Sequence, residues 1–137
     1  MKTLAVVGCV IILLITTGCT SPEKEPESIG RQLYVTHCSA CHGMNGSGNG
    51  PAAVSLKESP RDLRRIAFRE GGEFPFMKVA AHIDGRSDIP AHGLREMPVW
   101  GKQFGENLPV DEALKEEMIS GNLLHLITYL ESLQSYH

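Results

Sequence analysis

The chain has 137 residues, of which 42% are hydrophobic, 21% charged and 6% aromatic. This length and balance fit one globular domain and exclude a chain that is disordered or collagen-like throughout. Thirteen Lys and Arg against sixteen Asp and Glu give a formal net charge of −3, which argues against a nucleic-acid-binding role, since that role normally requires a basic excess. Because aromatic residues are few, aliphatic packing or a large bound apolar group must fill the core.

The first part of the chain has the layout of an export signal. One charge, Lys2, precedes an apolar stretch from Leu4 to Ile15, which is shorter than the about 20 apolar residues that span a bilayer. Small residues at 16–18 then lead to Cys19. Residues 16–19 resemble the processing site of bacterial lipoproteins, with Thr16 where Leu is usual. The resemblance implies a lipid on Cys19; ordinary signal-peptidase cleavage is the alternative.

A polar segment separates this signal from the rest of the chain. Residues 20–28 are rich in Pro, Glu and Ser and contain no apolar residue, which is typical of a flexible spacer. We therefore expect a signal peptide at 1–18, a flexible tether at 19–28 and a folded domain at 29–137. Fully extended, the tether spans on the order of 30 Å.

The strongest chemical signal is the sequence Cys38-Ser39-Ala40-Cys41-His42. Two thiols three residues apart on a helical turn can add to the two vinyl groups of haem, and the imidazole of His42 then lies beneath the iron. Three alternatives remain. A thioredoxin-type pair needs a βαβ setting that the sequence lacks, a zinc site needs a fourth ligand, and a disulfide leaves His42 without a role.

The first helix of the domain is predicted to carry this motif. Gly30, Tyr34, Cys38 and Cys41 occur at i, i+4, i+8 and i+11, so they share one helical face. On that face Gly30 can admit a crossing helix beside Tyr34.

Two shorter helices are predicted in the middle of the domain. Ser59 is expected to cap the first, with Pro60 in its first turn and Asp62 completing a capping box. Gly71-Gly72 ends this helix, and Pro75 begins the next, which ends at the Asp84-Gly85 turn.

The last helix is predicted to begin near Asp111. Gly121 is expected to kink or interrupt it. The apolar stripe of this helix consists of Met118, Ile119, Leu123, Leu126, Ile127, Leu130 and Leu133. No stretch alternates apolar and polar residues long enough to argue for a sheet, so the predicted fold class is all-α.

Three blocks of the sequence resemble class I cytochromes c. Residues 30–43, GRQLYVTHCSACHG, have that family's small residue, aromatic and first cysteine at four-residue steps. Residues 97–101, MPVWG, resemble its sixth-ligand loop, and residues 126–130, LITYL, resemble its C-terminal helix. The resemblance covers the domain at 29–137 and implies N- and C-terminal helices that cross around one haem c attached to Cys38 and Cys41.

The resemblance also implies the ligands of the iron. His42 and Met97 are expected as the two axial ligands, and His82 or His92 is the alternative to Met97. The remaining methionines are expected to fill the core or lie at the surface.

The haem environment follows from the same resemblance. Pro51 resembles the family proline whose carbonyl accepts a hydrogen bond from the ring N–H of the axial histidine. Trp100 is expected near the haem edge, where its N–H can meet a propionate. Arg86 and Arg95 are equally possible propionate partners.

A six-coordinate haem implies outer-sphere electron transfer without catalysis by the protein itself. We expect a carrier, free or as a subunit of a larger redox complex, that shuttles single electrons between redox proteins of the cell envelope. It would face the periplasm on a lipid anchor at Cys19, or be soluble there without one, and take neither nucleic acid nor a small-molecule substrate. A haem-based sensor or peroxidase-like enzyme with a labile sixth ligand is one alternative, and a zinc or non-haem interaction lipoprotein is another. The basic run at 57–69 and the acidic run at 106–117 could each orient a partner, and the sequence does not choose.

Overall fold

The computed structural model describes residues 25–87 and 97–135, and these residues form helices and no strand. In chain order the α-helices are α1 (Glu25–His37), α2 (Ser39–His42), α3 (Ile66–Arg69), α4 (Phe76–Asp84), α5 (Trp100–Gln103) and α6 (Glu112–Ser132). Short 3₁₀ turns occupy Ala53–Ser55 and Leu63–Arg65. The predicted all-α fold class is confirmed.

The first and last helices form the central pair of the fold. They cross at Gly30, where a Cβ atom would overlap the carbonyl oxygen of His125 and lie 2.8 Å from the Cβ of Tyr129. Beside this crossing the rings of Tyr34 and Tyr129 pack at a tilt of 52°, with centroids 5.4 Å apart. The glycine is therefore what permits the close approach that the spacing of α1 predicts.

The core is built mainly on one side of α6. Its buried members are Tyr34, Ile83, Trp100, Phe104, Ile119, Leu123, Leu126, Ile127, Tyr129 and Leu130. Met118, predicted to face inward, is 40% exposed, because it lies about 100° around the helix from Ile119, at the edge of the buried arc. The helix also continues through Gly121, so the expected interruption does not occur.

The helix predicted from Ser59 begins later in the chain. Residues 59–62 are not helical, and the carboxylate of Asp62 accepts a hydrogen bond of 2.9 Å from the Arg64 N–H at the start of the 3₁₀ turn. The prediction of Ser59 as the cap was wrong because Asp62, three residues nearer the helix, occupies that position. Downstream, Pro75 precedes α4, and Gly85 ends it with φ of 66°, as the sequence indicates.

Several expectations fall on or near the limits of the described residues. α1 begins at Glu25, so residues 25–28 of the expected tether are helical. The expected signal peptide and Cys19 lie outside the described residues, as do His92 and Arg95. Within the two described ranges, no helix combines the length and apolarity needed to cross a membrane.

Candidate cofactor site

A cavity of about 750 Å³ lies between the end of α1, α4 and α6. Apolar side chains of α4 and α6 contribute to its wall, among them Val79, Ile83, Leu126 and Leu130. Its size falls within the range of about 300–1,000 Å³ that is typical of small-molecule and cofactor sites. The chain contains few aromatic residues, and this cavity has the volume to hold a large apolar group.

The Cys38–His42 motif forms one end of this cavity. The His42 N–H donates to the Cys38 carbonyl at 2.9 Å, so both cysteines and the histidine share one helical turn. Cys38, Cys41 and His42 all line the cavity. The two thiols therefore face the same space as the imidazole, which is the arrangement that attachment of haem requires.

The loop after His42 folds back beneath this turn. Gly48 N–H donates to the His42 carbonyl at 2.8 Å, and Gly50 N–H donates to the Cys41 carbonyl at 3.1 Å. At Gly50 a Cβ would lie 2.6 Å from the carbonyl carbon of Cys41. Glycine is needed here because the loop backbone packs directly on the backbone of the motif.

The chemistry of the cysteines argues against a thioredoxin-type site. Burial, with a smaller contribution from Cys41, raises the pKa of the Cys38 thiol to about 12. Redox-active Cys-x-x-Cys pairs instead have a lowered thiol pKa, because the thiolate is the nucleophile. In the described part of the chain, moreover, no three His, Cys, Asp or Glu side chains converge as a structural zinc site would require.

The imidazole of His42 is suited to bind a metal. Burial lowers its pKa, and the backbone of Arg61 partly opposes this lowering, so the ring is neutral at pH 7, the form that ligates metals. Its Nδ1 atom is buried and makes no hydrogen bond of acceptable geometry. A buried nitrogen without a partner is costly. The neutral ring is therefore available to ligate a group that is bound in the cavity.

Pro51 is exposed and does not line the cavity. The Nδ1 atom of His42 has no hydrogen-bond partner here, and the support of this ring by the Pro51 carbonyl stays a prediction. The chain stays beside the motif after Gly50, since the Ala52 N–H donates to the Ala40 carbonyl at 2.8 Å, and Gly48 packs against the Pro60 carbonyl. The segment around Pro60 and Arg61 lines the cavity instead; this segment comes too far after the motif to be found from the glycine-rich loop alone.

Met97 and His82 both line the same cavity as His42. Met97 is half-buried and packs against the core, whereas His82 is exposed. The fold thus brings the expected thioether to the motif from 55 positions further along the chain. Its partial burial favours Met97 over His82 as the second ligand.

Trp100 lies in the cavity wall and is 9% exposed. Its ring packs against the rings of His37 and Phe104, with centroids 5.2 and 5.7 Å away. This cluster closes the cavity beside the end of α1.

Arg86 does not line the cavity, and its contact with a propionate stays a prediction. Its guanidinium donates to Asp84 at 2.6 Å and also to Glu116, and these two hydrogen bonds raise its pKa. The basic residues that do line the cavity are Arg61, Arg69 and Lys78. The sequence does hold a signal that Arg69 faces the cavity: it follows Ile66 by three residues and so lies on the same side of a helical turn.

The fold and the cavity define a helical domain built around a covalently held cofactor. A family model described as cytochrome c matches residues 28–134, and the chain belongs to the cytochrome c family. No curated protein or solved structure gave a match in the corresponding comparisons. As a member of this family the protein binds one covalently attached haem c.

The residues at the cavity fit this cofactor. Cys38 and Cys41 would carry the two thioether bonds, and His42 and Met97, which both line the cavity, would bind the iron. When bound, the haem supplies reversible one-electron exchange between ferric and ferrous iron. The wall contributes an apolar surface that excludes water from that exchange.

Proposed function

We propose that the protein is a single-electron carrier of the cell envelope, with His42 and Met97 as axial ligands of its haem. The observation that carries this proposal is the meeting of Cys38, Cys41, His42 and Met97 at one largely apolar cavity. Two axial side chains would leave the iron without an open position for a substrate, which supports a carrier rather than an enzyme. Thioether ligation and an apolar wall both favour the ferrous state and raise the reduction potential.

The test of the ligand assignment is the optical spectrum of the matured protein. Met97→Ala should remove the weak far-red sulfur-to-iron band and allow the reduced protein to bind carbon monoxide. Met118→Ala is the matched control, since Met118 is exposed on α6 and does not line the cavity. If the band survives in Met97→Ala, the assignment is wrong. A wild-type protein that lacks the band, and that binds carbon monoxide only after His82→Ala, would assign the second axial position to His82 instead. Ready binding of carbon monoxide by the wild-type protein would instead support a sensor or peroxidase-like function.

We also propose that the protein is a bacterial lipoprotein anchored through Cys19. The support is the apolar stretch from Leu4 to Ile15 and the small residues that precede Cys19. Metabolic labelling with a fatty acid, followed by membrane fractionation, tests this proposal. Cys19→Ser should lose the label and leave the membrane fraction, and Cys9→Ser, which removes a cysteine of the expected signal peptide, should change neither. A labelled, membrane-bound Cys19→Ser protein would contradict the proposal.

The redox partner, in our proposal, presents an acidic surface to the mouth of the cavity. Arg61, Arg69 and Lys78 line the cavity together with Glu58 and Glu70, which leaves a formal excess of one positive charge. The acidic run at 106–117 continues into the first turns of α6, which contribute no residue to that wall. Charge complementarity of this kind mainly accelerates association and is screened by salt.

Small redox reagents of defined charge test whether the surface at the mouth of the cavity is basic. Arg69→Gln should slow the reaction of the reduced protein with anionic hexacyanoferrate(III) at low ionic strength, and the effect should fade at high ionic strength. Arg31→Gln makes the same change of charge on the exposed surface of α1 and should have a smaller effect. Equal rates for the two variants would contradict a basic docking surface at the cavity.

A further inference from the structure

One side of the cavity is formed by an irregular stretch, residues 59–67, which we call the wall segment. Pro60, Arg61, Leu63 and Ile66 of this segment line the cavity, but its regular structure is limited to the short 3₁₀ turn and the first two residues of α3. A segment with so few hydrogen bonds of its own must be held by other parts of the fold.

The segment is tied on one side to the loop that follows His42. Leu63 N–H donates to the Gly46 carbonyl at 2.7 Å. Gly48 lies so close to the Pro60 carbonyl that a Cβ atom would overlap it. The wall segment is therefore joined directly to the loop that follows His42.

On its other side the segment is tied to residues just beyond the end of α6. Gln134 Oε1 accepts a hydrogen bond of 2.9 Å from the Ala67 N–H, and Nε2 donates to the Leu63 carbonyl at 2.8 Å. Nε2 also donates to the Leu130 carbonyl at 2.7 Å, which anchors the amide on its own helix. Both N–H groups and the oxygen of this part-buried amide are thus used, and two of its three bonds cross to the wall segment.

We infer that Gln134 is a positioning residue for the haem: by fastening the wall segment to α6, it keeps Leu63 and Ile66 closed over the cofactor. The inference rests on the proposed electron-carrier function, for which the reduction potential is the relevant property. Ferric haem carries one more positive charge than ferrous haem, so water that enters the cavity stabilises the ferric form. Loosening the segment should therefore lower the potential without removing an iron ligand.

The decisive variant is Gln134→Met, which keeps the approximate length and volume of the side chain and removes its three hydrogen bonds. We expect the equilibrium between ferric and ferrous haem to move about threefold to tenfold toward ferric, a potential lower by about 30 to 60 mV at 59 mV per tenfold. Gln32→Met is the control, because Gln32 is exposed on α1, and its potential should match the wild type. The far-red sulfur-to-iron band should persist in both variants.

Amide hydrogen exchange at Ala67 distinguishes this role from a general loss of stability. Exchange at Ala67 should accelerate in Gln134→Met, while amides in the middle of α6 keep their protection. Gln134→Ser removes the same bonds without adding apolar surface, and should shift the potential in the same direction if Gln134→Met does not fold.

Faster exchange at Ala67 with an unchanged or raised potential would overturn the inference, and so would unchanged exchange at Ala67. Either result would leave the proposed function standing, provided that the wild-type protein keeps its sulfur-to-iron band and does not bind carbon monoxide. A wild-type protein that lacks the band would count against the proposed function instead.

Discussion

The crossing of α1 and α6 leaves no room for a side chain at Gly30, and this makes Gly30→Ala a sharp test of the fold. The added Cβ would overlap the His125 carbonyl oxygen and lie 2.7 Å from its carbon and 2.8 Å from the Cβ of Tyr129. Two of these neighbours are backbone atoms, which cannot rotate away as the end of a side chain can. The helices must therefore separate by several tenths of an ångström or more, and the packing of Tyr34 on Tyr129 must loosen with them.

The size of the effect follows from two opposing contributions. Overpacking of a core typically lowers the unfolding free energy by about 1–3 kcal/mol. Because the Cβ added in Gly30→Ala would meet backbone atoms, we expect a cost of about 3 kcal/mol at this site. Alanine is favoured over glycine inside a helix by about 1 kcal/mol, so the net loss of unfolding free energy should be about 2 kcal/mol. For a domain of this size that corresponds to a melting temperature lower by about 8 °C or more.

The same substitution at Gly121 is the matched control. Gly121 lies within α6, and a Cβ there would meet no atom within 4 Å. Gly121→Ala should therefore stabilise the protein by about 1 kcal/mol. Thermal unfolding of the two holoproteins, followed by circular dichroism, should move in opposite directions. A melting temperature for Gly30→Ala equal to or above the wild-type value would refute the proposed packing at the crossing.

Two further predictions concern the hydroxyl of Tyr34 and the carboxylate of Asp62. Tyr34→Phe should lower the unfolding free energy by about 1–3 kcal/mol in urea titrations, because the buried Tyr34 hydroxyl donates to the Gly43 carbonyl at 2.6 Å and its loss leaves that acceptor unsatisfied; an unchanged midpoint would contradict this role. Asp62→Asn keeps the helix cap but loses the charge, and hydrogen bonds from the Arg64 side chain are the main cause of the lowered pKa of Asp62. Because the pKa of Asp62 is lower in the folded state, its carboxylate stabilises the fold at pH values above the unfolded pKa near 3.8. This stabilisation is lost as the pH falls through the folded pKa. The wild type should therefore be slightly more stable than Asp62→Asn at pH 7, and the two should become equally stable in acid. A stability difference that is independent of pH would contradict this explanation.

The pairing of the first and last helices could be predicted because a glycine and an aromatic residue on the same helical face indicate a close helix crossing. A glycine and a tyrosine in step with two cysteines define one helical face, and Gly30 and Tyr34 do lie where α1 meets α6. The meeting of Met97 with the motif was predictable only through the family resemblance. No periodic pattern connects a loop methionine to a helix 55 positions earlier.

The surroundings of His42 could not be read from the sequence because they depend on how a loop turns. Pro51 follows the glycines directly and so resembled the supporting proline, yet the close packing of Gly48 on Pro60 directs a later stretch to the cavity. The ion pairs of Arg86 could not be predicted for a related reason. A guanidinium satisfies whichever acceptors the fold brings near it, and here Glu116 comes from a helix 30 positions away.

The pairing of α1 with α6 also sets a time interval during synthesis of the protein. Roughly 90 residues separate Cys41 from Tyr129, and chains are made at about 5–20 residues per second, so about 5 to 20 s pass between the emergence of the motif and that of its partner helix. Before α6 is available, the burial that raises the pKa of Cys38 cannot be complete. The Cys38 thiol is thus more accessible before α6 packs on α1 than in the closed domain.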